Sequence, residues 1–199
     1  IKHENCFIRV DVLEKKGNVV KIHEVKAKSV DGNQSSQFLK RDGAPNSIWK
    51  KYLYDVAFQK WVCSRAFPNY MIAANLMLAD KSKRLAASGL NQKFRVHEIN
   101  GRKKVQVEGD ILKAHLSPQI LTTVNVDNIC TDIFTATDHS LNVEETFDQM
   151  VKRFSTSCEH GKLIQSQLGT HCGQCEFVCS KDDKLNGKQD GRLECFNRV

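Results

Sequence analysis

The chain has 199 residues, of which 40% are hydrophobic, so it can build a real core and disorder is not its default state. It has no apolar run near the roughly 18 residues of a membrane span, and its amino terminus, IKHENCFIRV, has neither part of a secretory signal. It is therefore expected to be soluble and cytoplasmic. Lys and Arg total 30 against 23 Asp and Glu, and this excess favours a polyanionic partner such as DNA, though weakly, because many basic globular proteins never touch nucleic acid.

Residues 5–14 and 19–28 are β-rich, and Lys16-Gly17-Asn18 between them signals a tight hairpin. A polar stretch follows over 29–46. Ser47 is a credible cap for a helix from Ile48 to about Ala66, which Pro68 closes. Tyr70 to Leu78 is a continuous apolar run and reads as a buried strand, giving the order β-β-α-β. The basic region 80–110 holds a second hairpin, FRVHEI and KVQVEG, around Asn100-Gly101. A helix is predicted over Val143 to Ser155, capped by Asn142, with Val143, Phe147, Met150, Val151 and Phe154 at helical spacing. Beyond Gly161 the chain is rich in Gly and Cys and poor in apolar residues. There is no internal repeat.

The first hairpin carries a candidate chemistry. With a two-residue Gly17-Asn18 loop, Lys16 faces Val19, Leu13 faces Ile22 and Asp11 faces Glu24, while Lys26 shares the face of Glu24. Opposed carboxylates repel, at a cost of up to about 1 kcal/mol. A divalent cation converts that repulsion into shared coordination, since Mg²⁺ takes hard oxygen ligands, and a nearby lysine can orient water or stabilise charge on a phosphate. The same residues would also form an ordinary solvated charge cluster in which Lys26 neutralises the acids. A three-residue loop would send Asp11 and Glu24 to different faces.

Of the eight cysteines, Cys6, Cys63 and Cys130 stand singly in apolar stretches and read as small buried hydrophobes. Cys158, Cys172, Cys175, Cys179 and Cys195 crowd into 158–199, within THCGQCEFVCS and DGRLECF. Thiolates clustered in so little core usually share a metal or an iron-sulfur centre. A zinc knuckle of Cys172, Cys175, Cys179 and Cys195 is one form of this, and disulfides are the poorer alternative in a cytosolic chain.

The string IRVDVL, a turn, and IHEVKAKS resembles motifs II and III of the PD-(D/E)xK nuclease superfamily, in particular its RecB-like branch. YLYDVAFQKWV is similar to that branch's helix with a glutamine motif, here Gln59, and the likeness runs through YMIAANLMLADKSK into the Cys-rich segment. The resemblance implies an α/β, restriction-endonuclease-like core with a central mixed β-sheet flanked by helices over 1–157, and a Cys-rich metal-binding tail over 158–199. It implies Mg²⁺ or Mn²⁺ held by Asp11, Glu24 and the main-chain carbonyl of Val25, a catalytic Lys26, and Gln59 reaching the site from the helix. Tyr52 and Asp55 share the face of Gln59, as spacings of seven and four require on a helix, and serve equally well as plain helix surface.

It further implies a four-iron, four-sulfur cluster on Cys172, Cys175 and Cys195, with Cys158 and Cys179 as less certain candidates and Zn²⁺ as the alternative. The family supplies another metal ligand from a helix before the first strand and a cysteine before the core. No helix fits before Asn5, His3 and Glu4 are poor substitutes, and both upstream elements are expected to be missing here. The expected activity is metal-dependent hydrolysis of DNA, as an exonuclease in repair, recombination or defence, with other DNA-processing proteins as further partners. The rival readings are a catalytically silent DNA-binding module with a structural zinc and a protein-interaction domain on a remnant nuclease fold.

Overall fold

The structure, a computed structural model, describes residues 1–32, 37–85, 88–138, 144–164 and 168–197. Two compact units divide the chain, Ile1–Thr135 and Ala136–Val199, and α3 belongs with the Cys-rich segment. In the first unit, β1 (Lys2–His3) and β2 (Cys6–Phe7) form a minimal hairpin, then β3 (Val12–Lys16) and β4 (Val19–Val30) form a longer one. The continuous strand expected over 5–14 is therefore broken between Phe7 and Val12.

The turn between β3 and β4 is the two-residue Gly17-Asn18, since Lys16 pairs with Val19. Gly17 takes φ +60°, which only glycine adopts at little cost, and this sets the register Leu13 to Ile22 and Val12 to His23.

Helix α1 (Ser47–Ala66) begins one residue earlier than the sequence indicated, because Asn46 rather than Ser47 is the cap and its Oδ1 accepts from the Ile48 N–H at 3.1 Å. Phe67, forced out of helical geometry by Pro68, ends it. The chain returns through β5 (Met71–Asp80), parallel to β4, as a helical crossover allows. After the ribbon β6 (Phe94–Ile99) and β7 (Arg102–Val107), β8 (Leu121–Asn125) pairs antiparallel with β5 and leads into α2 (Asp127–Thr135).

The four-stranded sheet runs β3-β4-β5-β8, a mixed sheet flanked by helices. Even-numbered residues of β4 and β5 turn inward, and Ile22, Ala74, Leu76 and Leu78 pack with Leu53, Val56, Val62 and Cys63 of α1 into a core almost closed to solvent. Lys60 and Asp127 tie α1 to α2, and Asp127 also accepts from the Ala74 N–H at 2.8 Å.

The pairing of β4 with β5 breaks where the site lies. Val25 pairs with Met77, but the next partners are Ser29 and Ala79, so β4 advances four positions while β5 advances two. A bulge of this kind frees the local backbone and re-aims side chains without changing which parity faces inward.

The second unit holds β9 (Thr137–Asp138) paired with β10 (Glu145–Thr146), α3 (Phe147–Glu159), and the short α4 (Lys181–Leu185) and α5 (Gly191–Phe196). Helix α3 starts after Thr146, whose hydroxyl and the Gln149 side chain form a capping box. The expected cap Asn142 and first residue Val143 lie outside the described residues. Among the described residues no helix is long and apolar enough to cross a membrane.

Candidate active site

Glu24 sits on the inward face of β4 with only 7% of its surface exposed, and two side chains hold its carboxylate. Lys26, two residues along the same face, donates to Oε1 at 2.5 Å, and Gln59 of α1 donates to Oε2 at 2.6 Å. Lys26 also donates to Asp55 Oδ2 at 2.7 Å, and Gln59 reaches Asp55 Oδ1 at 3.4 Å. Four side chains from one strand and one helix thus close a ring. The helix contributes Asp55 and Gln59 because positions i and i+4 lie one above the other on its sheet-facing side.

Burial works against the charge on Lys26, but its hydrogen bonds to Asp55 and Glu24 prevail and raise its pKa. The residue is a fixed ammonium at neutral pH, suited to stabilising negative charge and unsuited to accepting a proton. Gln59 Oε1 is buried without a partner among the described residues, an acceptor beside the carboxylates.

Asp11 is exposed and stands just outside β3, since the ladder stops at Val12 and His23, one pair short of the expected pairing of Asp11 with Glu24. Its carboxylate replaces the missing ladder partner and accepts from the Val25 N–H at 2.9 Å. Asp11 is thereby fixed to the residue between Glu24 and Lys26. The sequence pointed to Glu24, Lys26 and Gln59 by type and order, but left Asp55 undecided between site and surface; its spacing from Gln59 was the available signal.

The lone cysteines Cys6, Cys63 and Cys130 are buried, and burial pushes the Cys130 thiol up to about 12, so it is an inert part of the core. All eight cysteines are free thiols; Cys158 is exposed and Cys172, Cys175, Cys179 and Cys195 are half-buried. The segments carrying three of these are tied together. The Gly191 N–H donates to the Phe177 carbonyl at 2.9 Å, and the Cys179 N–H donates at 3.2 Å to Asp190, which also caps α5 ahead of Cys195. Among the described residues no three His, Cys, Asp or Glu side chains converge as a metal-binding group.

The fold defines a mixed α/β protein with a charged centre on the face of its sheet. No protein-family model, curated protein or solved structure matches the chain.

Proposed function

We propose that the chain is a deoxyribonuclease of restriction-endonuclease-like fold that uses Mg²⁺ or Mn²⁺ to hydrolyse phosphodiester bonds, acting as an exonuclease in DNA repair, recombination or defence. The observation that carries this reading is the ring of Glu24, Lys26, Gln59 and Asp55, with Asp11 anchored beside it on the Val25 N–H. Asp11, Glu24 and Asp55 bring three formal negative charges against the one positive charge of Lys26. That surplus, on hard oxygen donors, suits a divalent cation.

The residues that would hold the ion are Asp11, Glu24 and the main-chain carbonyl of Val25. When bound, it supplies Lewis-acid polarisation of the phosphate. Gln59 orients the Glu24 carboxylate, Asp55 holds the Lys26 ammonium in place, and Lys26 meets the charge that develops on the phosphate oxygens. The free, half-buried thiols of Cys172, Cys175, Cys179 and Cys195 are soft donors on segments already joined, and fit a four-iron, four-sulfur cluster or Zn²⁺. A cytoplasmic setting would keep them reduced.

The test is cleavage of end-labelled DNA by the full chain with and without Mg²⁺ or Mn²⁺. Lys26→Ala and the uncharged donor Lys26→Gln are each expected to lower turnover by about a hundredfold or more, while DNA affinity changes by less than about tenfold. Metal-independent cleavage, or parental rates in both variants, would overturn the reading.

A further inference from the structure

Beyond the centre, the same two elements build a second feature that the hydrolytic reading does not use. Tyr52 lies one helical turn before Asp55 on α1 and is half-buried, with its ring edge-on to Trp49 at 6.1 Å between centroids. Three ammonium groups surround this ring: Lys26 at 5.5 Å, Lys28 at 5.3 Å and Lys51 at 5.2 Å from its centroid. Lys28 also stands 5.4 Å from the ring of Trp49. Cation-π pairs occur about once per 70–80 residues, so three on one ring mark a built cluster rather than a chance contact.

The cluster is not charge-balanced. Glu24 and Asp55 are the acids nearest to it by hydrogen bonding, and both are engaged by Lys26. Among the described residues no ion pair reaches Lys28 or Lys51. The first turn of α1 holds no acidic side chain, and Lys51 lies close to it, where the helix dipole disfavours a cation. Like charges gathered around a ring, near the positive end of a helix, are relieved by a polyanion.

Geometry selects the kind of polyanion. Glu24, Lys26 and Lys28 follow one another on a single face of β4, about 6.6 Å apart at each step, so the lysines lead away from the centre in a row. A row of cations beside an aromatic ring matches a strand whose phosphates follow the row while one base stacks on the ring. A duplex keeps its base faces paired and cannot use Tyr52.

We propose that Tyr52, Lys28 and Lys51 form a platform that binds single-stranded DNA, one base stacked on Tyr52, and feeds the strand to the adjoining Glu24–Lys26 centre. The assignment to DNA rests on the hydrolytic reading, while the platform stands on the cluster itself. Binding is measured by fluorescence anisotropy of a short labelled oligothymidylate on the full chain, with EDTA present so that no cleavage intervenes.

The single strand is expected to bind about tenfold more tightly than a duplex of equal length, with Tyr52→Leu removing about tenfold or more of that affinity and Tyr52→Phe retaining it. Lys28→Gln and Lys51→Gln are each expected to reduce the salt-dependence slope by about 0.7. Heparin binding should be indifferent to Tyr52. Equal affinity for duplex, parental affinity in Tyr52→Leu, or equal losses in Tyr52→Leu and Tyr52→Phe would overturn the platform; preference for the matching RNA strand would overturn the assignment to DNA. Tight single-strand binding without metal-dependent cleavage would sink the nuclease reading alone, and cleavage with no dependence on Tyr52 would sink the platform alone.

Discussion

Two buried carboxylates on neighbouring strands are satisfied in opposite ways, and the contrast separates structure from chemistry. Asp80, at the end of β5, accepts from the Ser82 hydroxyl at 2.6 Å, the Ser82 N–H at 3.0 Å and the Gly32 N–H at 3.1 Å. These groups, led by the Ser82 hydroxyl, lower its pKa from 3.8 to about 2. Its partners are local and mostly main chain, which fits a clasp between the ends of β4 and β5.

A depressed acid contributes stability that is full above its unfolded pKa and is lost as pH falls through the folded one, here from about pH 4 to about pH 2. In Asp80→Asn the unfolding midpoint in urea should fall at neutral pH, and its decline between those two pH values should become shallower. An unchanged acid limb would remove Asp80 from the clasp. Glu24, by contrast, is held by a lysine and an amide drawn from two different elements, and the unpartnered Gln59 Oε1 beside it serves no structural purpose.

The ribbon of β6 and β7 shows at the scale of elements what a strong local signal can build alone. Its type I′ turn has Asn100 at φ +53° and Gly101 at φ +70°, and every residue of both strands is exposed. Pairing of Phe94 with Val107 and Val96 with Val105 gathers the apolar side chains on one side, opposite Arg95, His97, Arg102 and Lys104. Because nothing else packs on it, replacing 95–106 by a short Gly-Ser turn should change unfolding free energy by no more than about 0.5 kcal/mol. A larger loss in denaturant titration would show that the ribbon supports the core.

Both hairpins and α1 were readable from sequence because Gly17, Asn100, Gly101 and Pro68 act on their own backbone, needing no distant partner. The β8 strand and α2 were not. LTTVN alternates weakly on an edge strand, and α2 depends on Asp127 bonding Ala74 and Lys60 far away in sequence. The bulge in β4 left no trace either, since two extra residues preserve the alternation of Glu24, Lys26, Lys28 and Val30. Asp11 was visible as a residue, but not its bond to Val25, which depends on where the β3 ladder stops.

At the scale of the whole molecule the two units differ in what could hold them. The first buries a continuous core, whereas the described residues of Ala136–Val199 bury only Glu145, Phe147 and Val151. Glu145 is matched by an ion pair with Arg153, but Leu163, Phe177, Leu185, Leu193 and Phe196 are each at least half exposed. Ordering a residue costs about 1–2 kcal/mol of backbone entropy, and this burial cannot offset it across such a segment. Thiolate ligation is the available substitute, because metal binding to an unfolded segment is also its folding energy. The chain purified without oxygen is therefore expected to contain iron and sulfide, or zinc in the alternative case, and chelation should expose 158–199 to protease while Ile1–Thr135 stays resistant. Substituting Cys172, Cys175 or Cys195 by serine should reproduce that selective sensitivity and reduce the metal content. A metal-free chain whose thiols react freely with a maleimide while 158–199 still resists protease would show that the cysteines do not hold this segment.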